Sequence, residues 1–167
     1  LIVAGSKHAA TMRQLQVLSD DGVPVIQLPQ EVIDDPDCAL AGTLETVAAS
    51  LASGRTTAVT TAGLNPSASA ERTVAARLAE VASHPRVREH VGGMVLTGGD
   101  VAAAVCGALH ARGIGLGGEI YAGQPWGRLS GGELPDLPVA TKAGSFGRDH
   151  ALRTCAAFLQ GAAVGNG

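Results

Sequence analysis

Aromatic residues are scarce: two Phe, one Trp and one Tyr in 167 residues. A surface that stacks single-stranded bases needs such rings, interleaved with clustered Lys and Arg. The basic residues are also few. Twelve Lys and Arg stand against 15 Asp and Glu, the net charge is −3, and the pI is near 5.9. A nucleic-acid partner is therefore excluded. The three cysteines, Cys38, Cys106 and Cys155, are far apart and form no CxxC pair. That excludes a disulfide framework or a zinc site and makes a reducing cytoplasm the expected location. No apolar run reaches the roughly 18 residues of a membrane span, and no signal peptide opens the chain. There is no initiator Met either. The first residues, LIVAG, read as a buried strand, so the chain is expected to be part of a longer protein.

What is plentiful is small and aliphatic. Hydrophobic residues make up 46% of the chain, and 23 positions are Gly. One domain of ordinary size fits this length. Its core must be built from Ala, Val, Leu and Ile. Strand-like and helix-like segments alternate along it. Strands are expected at Leu1–Ala4, Val23–Leu28, Thr56–Thr61, Gly93–Leu96 and Leu137–Thr141. Helices are expected at His8–Asp21 (through Met12, Leu15 and Leu18), Pro36–Ser53, Ser67–His90 (through Ala70, Val74, Leu78 and Val81), Gly98–Arg112 (through Val101, Val105, Ala108 and Leu109) and Arg148–Gln160. Ile114–Gly132 reads as a hairpin around a Gly123-Gln124-Pro125 turn. The tail AAVGNG is expected to fray. The pattern predicts a layered α/β/α domain with a mixed, largely parallel sheet and a late β-hairpin.

Such sheets bind ligands beyond the carboxyl ends of their strands, and three loops of that kind carry suggestive residues. In TGGD, Gly98 and Gly99 open a helix, whose unpaired first-turn amides can receive an anion. An equally simple reading is a capping box between Thr97 and Asp100. Asp100 repels a bare phosphate but suits an intervening Mg²⁺. In TKAGSFG, Lys142 to Gly147, the loop either presses on a nucleotide with Lys142 near phosphate or is a plain strand-to-helix turn. In AGSKHAAT, Ser6 either caps the next helix or, with Lys7 and His8, meets a ligand. The glycines at 113, 115 and 118 spell GxGxxG but precede a strand, so they are no dinucleotide fingerprint. There is no P-loop, and the five histidines show no metal spacing.

The order of these motifs is more specific than any one of them. Gly5, Ser6, Thr11 and Gln14 are followed by GGMVLTGGDVAAAV, GEIYAGQPWGRLSGG and LPVATKAGSFG. Together they resemble the C-terminal nucleotide-binding domain of the four-carbon acid sugar kinases, over nearly the whole chain. The resemblance implies ATP and Mg²⁺ as cofactors and a terminal hydroxyl of threonate, erythronate or 3-oxo-tetronate as acceptor. It implies that an N-terminal domain, lying before Leu1, binds the sugar acid and supplies the catalytic base. For this chain it implies nucleotide contacts from Ser6, His8, Thr97, Gly98, Gly99, Asp100, Val101, Lys142, Ala143, Gly144 and Ser145, with Asp100 toward the metal. Two positions depart from the family pattern: His8 replaces a small hydroxyl residue, and Ser145 stands where the family reads KAGGFG. A non-catalytic anion- or nucleotide-binding regulatory module is the alternative, and a homo-oligomer is left open.

Overall fold

A computed structural model describes residues 1–35, 37–64 and 71–164. Seven strands form one sheet, in the order β2-β3-β1-β4-β7-β6-β5. The first half is built from β1 (Ile2–Ala4), α1 (Ala9–Asp20), β2 (Val25–Gln27), α2 (Gln30–Asp34), α3 (Ala41–Ala52) and β3 (Ala58–Thr60). Then come α4 (Glu71–Ser83), α5 (Pro85–Arg88), β4 (Met94–Thr97) and α6 (Gly99–Ala108). The hairpin β5 (Gly113–Tyr121) and β6 (Gln124–Ser130) leads into β7 (Pro138–Lys142) and the closing α7 (Ala151–Val164). Strands β2, β3, β1, β4 and β7 run parallel, and the hairpin adds two antiparallel strands at the β7 edge.

Strand alternation assigns each face its own helices. Ile2, Ala4, Ala58 and Val95 pack with Leu15 and Leu18 of α1 and with Leu152 and Leu159 of α7. Val3, Val59 and Leu96 pack on the other face with Leu44 and Val47 of α3, Leu78 of α4 and Val101 and Val105 of α6. The predicted α/β/α layering and mixed sheet are therefore present. Because β1, β3 and β4 are buried on both faces, they read as continuous apolar runs.

Several boundaries differ from expectation, each for a local reason. The predicted helix at 67–90 is two helices, because Pro85 starts a new turn at which His84 accepts the Arg86 amide. Its first residues, with Ala70, lie outside the described residues, as does Pro36 at the start of the 36–53 prediction. The short α2 went unpredicted, and α3 begins only at Ala41. On α1 the inward stripe is Thr11, Gln14, Leu15 and Leu18, so Met12 points out at 40% exposure. Ala108 likewise lies on the exposed side of α6. The hairpin turn is Ala122–Gly123, one residue earlier than expected, with Gln124 and Pro125 already in β6. Helix continues through Val164; the last three residues of the tail lie outside the described residues.

Candidate functional site

A cleft of about 230 Å³ opens where β1 and β4 end side by side. After β1 the chain leaves to the α1/α7 face, and after β4 it leaves to the α6 face. This divergence of neighbouring strands is the topological switch point at which open α/β sheets bind ligands. Gly5 and Ser6 form one wall, and Thr97 to Val101 form the other. Val74 and Ala75 of α4 border it. A larger cavity, about 280 Å³, lies at the opposite end of the sheet among Leu1, Arg55, Gly93 and Leu159. It faces the amino ends of the strands.

The glycines of the cleft differ in what the fold asks of them. A Cβ on Gly5 would sit 2.7 Å from Val101 Cγ2 and 3.0 Å from Leu78 Cδ1, so this Gly is required by packing. Gly98 is the N-cap of α6 and has φ 100 and ψ 137, a conformation essentially reserved for Gly. Gly99 is different. A Cβ there would meet nothing within 4 Å, so neither packing nor backbone strain accounts for it. The capping box is absent: α6 has no side-chain cap. Thr97 is fully buried and its Oγ1 has no hydrogen-bond partner. The first turn of α6 thus lines the cleft, with the exposed Asp100 carboxylate in the same turn. Amides at the positive end of a helix dipole favour an anion.

The loop after β7 adjoins this cleft through Ser6. A Cβ on Gly144 would overlap Ser6 Oγ and lie 2.7 Å from Ser6 Cβ, with His8 Cδ2 at 3.9 Å. The two loops therefore meet at van der Waals contact. Ser6 is not the N-cap of α1; that position is His8, whose amide donates to Ser6 Oγ at 3.2 Å. Ala143 and Ser145 are exposed. Phe146, 45% exposed, lays its ring against Gly123 of the hairpin turn.

Lys142 is placed otherwise than the sequence suggests. It is only 3% exposed, and its Nζ donates to the carbonyls of Ala143 at 2.8 Å, Phe146 at 3.0 Å and Gly144 at 3.4 Å. Burial lowers its pKa to about 8, with the nearby Cys155 acting in the opposite sense. Cys155 is itself buried, donates to Gln124 Oε1 at 2.9 Å, and is pushed up to about 11 by burial, against the effect of Lys142. The Lys142 shift has a consequence for stability. Above about pH 8 the folded chain has released a proton that the unfolded chain keeps until its pKa near 10.5, so this group makes stability rise with pH. Below pH 8 the cost of burying the ammonium is carried in full. Above pH 9 the thiol of Cys155 contributes the opposite slope, because its folded pKa is raised. Between pH 8 and 9, urea unfolding is expected to show the wild type gaining about 1 kcal/mol relative to Lys142→Met. Parallel pH profiles for the two proteins would remove the assignment.

Sequence reasoning named Thr11 and Gln14 as part of a motif and gave them no role. The structure shows one. Thr11 Oγ1 donates to Gly144 O at 2.8 Å, and Gln14 Nε2 donates to the carbonyls of Phe146, Gly147 and Arg148 at 3.1, 3.2 and 3.1 Å. Both side chains are buried to within 1% exposure. The available signal was two polar residues at i and i+3 on the inward stripe of an amphipathic helix, where buried polar groups require partners.

Among the described residues no group of three or more His, Cys, Asp or Glu is arranged to hold a metal, and no helix is long and apolar enough to cross a membrane. The single carboxylate of Asp100 fits an ion that shares its coordination sphere with phosphates and water, as Mg²⁺ does.

Residues 1–152 match the family described as nucleotide-binding C-terminal domain. The chain is 34% identical over 170 residues to the D-threonate kinase of Salmonella typhimurium, covering 91% of this chain and 40% of that enzyme. It is 42% identical over 69 residues to the D-erythronate kinase of Heliobacterium modesticaldum, covering 41% of this chain and 16% of that enzyme. The chain thus spans less than half the length of these curated relatives. Its fold matches a Bordetella bronchiseptica protein described as a domain of unknown function with bound citrate, a domain-swapped dimer. That match has a TM-score of 0.83 and 32% identity, and it covers 96% of this chain and 41% of that one.

Proposed function

The chain belongs to the nucleotide-binding C-terminal domain family of the four-carbon acid sugar kinases, and from that premise we propose that it is the ATP-binding part of a kinase acting on a terminal hydroxyl of a four-carbon sugar acid. The observation that carries the reading is the cleft at the switch point. There the first turn of α6, from Gly98 to Val101, and the open space over Gly99 face one volume with Gly5 and Ser6. The amides of Gly99 and Asp100 are assigned to phosphate oxygens, with Thr97 bordering them at the end of β4. Asp100 is assigned to Mg²⁺ or its water shell, so that its charge meets the metal rather than the phosphate.

Phosphoryl transfer asks the protein for positioning and charge neutralisation more than for covalent chemistry. The sugar-acid hydroxyl oxygen bonds to the γ-phosphorus, the bond from that phosphorus to the β-γ bridging oxygen breaks, and ADP leaves with that oxygen. The hydroxyl proton passes to a base. We assign that base and the sugar-acid site to protein outside this chain, which corresponds to 40% of the Salmonella enzyme. The Bordetella protein's dimer supports a homo-oligomer here as well, and the unpaired thiols of Cys38, Cys106 and Cys155 support a reducing compartment.

The test is calorimetry with ATP·Mg²⁺ on the full-length protein, followed by ADP release with D-threonate and D-erythronate. Saturable ATP binding and turnover with one of these acids are expected. Residues 1–167 alone are expected to bind ATP weakly and to turn over neither acid. Turnover by that segment alone would place the base within this chain, and a folded full-length protein indifferent to millimolar ATP would remove the nucleotide site.

A further inference from the structure

The loop after β7 is held from behind. Three side chains, Thr11, Gln14 and Lys142, make seven hydrogen bonds to the carbonyls of residues 143, 144, 146, 147 and 148. All three are buried, at 0%, 1% and 3% exposure. The orientation of the Gln14 amide is settled by chemistry, since three carbonyl oxygens need a donor and its Nε2 supplies it. No cis peptide bond occurs among the described residues. In a planar trans peptide the N–H of the next residue points opposite to the carbonyl. Five carbonyls turned inward therefore turn the amides of Gly144, Ser145, Gly147, Arg148 and Asp149 toward the exposed side of the loop. Successive outward amides make an anion-binding concavity. The loop's contact with Ser6 at Gly144 sets this concavity beside the cleft.

We propose that Lys142 is a positioning residue: from behind the loop, with Thr11 and Gln14, it holds the carbonyls inward so that the loop presents its amides to the phosphates of the bound nucleotide. The inference rests on the nucleotide reading of the cleft and departs from the simpler idea that Lys142 touches phosphate. An ammonium donating to three carbonyls has no hydrogen left for a ligand. Its charge is instead spread over the peptide dipoles of the loop, and those dipoles end on the outward amides.

The test compares wild type with Lys142→Met in the full-length protein. ATP affinity is measured by calorimetry, and the rate of chymotrypsin cleavage after Phe146, which is 45% exposed, is measured without ligand. The expected result is a tenfold or greater loss of ATP affinity together with at least tenfold faster cleavage in that loop, the melting temperature being nearly unchanged. A loss of affinity with unchanged loop cleavage would mean that Lys142 meets phosphate directly, and it overturns the proposal. Faster cleavage with unchanged affinity would mean that the nucleotide does not use this loop, and it overturns the proposal as well. Gln14→Met removes three donations without touching a charge and is expected to give the same paired signature. It carries the test alone if Lys142→Met does not fold, and indifference in both measurements counts against the proposal. Failure of the wild type to bind ATP overturns the functional reading and this inference together, whereas wild-type binding with indifferent variants overturns the inference alone.

Discussion

Gly99→Ala is expected to weaken ATP binding tenfold or more, about 1.4 kcal/mol, while leaving the fold as stable as before or slightly more so. The added methyl meets no protein atom within 4 Å, and the residue is the first of α6, where Ala is favoured over Gly by up to about 1 kcal/mol. The methyl projects into the volume assigned to phosphate. The neighbouring Gly98→Ala gives the contrast. At φ 100 any side chain is strained, at a cost of about 1–3 kcal/mol, so stability and affinity should fall together. Melting temperature and ATP calorimetry on both variants check the pair. If Gly99→Ala binds ATP like the wild type, the amides of α6 do not receive the phosphates.

Gly144→Ala is expected to damage both stability and affinity, because it pushes two loops apart. Its Cβ would overlap Ser6 Oγ and stand 2.7 Å from Ser6 Cβ. Neither partner can yield freely: Gly144 O is tied to Thr11, and Ser6 Oγ accepts from His8. Overpacking of this kind costs about 1–3 kcal/mol. The clash is with one residue, so Ser6→Gly in the Gly144→Ala background should restore part of the stability, although Ser6→Gly alone removes a hydrogen bond. A double-mutant cycle in urea is the measurement. Strict additivity of the two changes would show that the loops do not meet as described.

These tests turn on glycines that look alike in sequence. TGGD presents two adjacent residues with no side chain. Only their backbone and surroundings separate Gly98, required by its dihedral angles, from Gly99, which nothing in the fold requires. The choice between capping box and anion site was likewise open in the sequence, because Thr-x-x-Asp suits both. The structure decides against the cap, since Gly98 takes the N-cap position and leaves Thr97 Oγ1 unpartnered. Lys142 is a further case: a Lys beside a glycine loop reads in sequence as a residue near phosphate, and the fold buries it with its Nζ donating to three carbonyls of that loop.

The sequence by itself determined the layered α/β/α class, the mixed sheet and the three loops, because alternation of apolar runs and helical stripes is local information. It determined the family too, through the order of four motifs along the chain. Only the tertiary structure decided which loops meet. The strand order places β1 beside β4 although more than 90 residues separate them, and that neighbourhood brings Gly5 and Ser6 to Gly98 and Gly99. It also decided that Thr11 and Gln14 carry the loop after β7 from more than 130 residues away. Such pairings are set by how strands order in the sheet and which face each helix covers, and no spacing within a single segment records them.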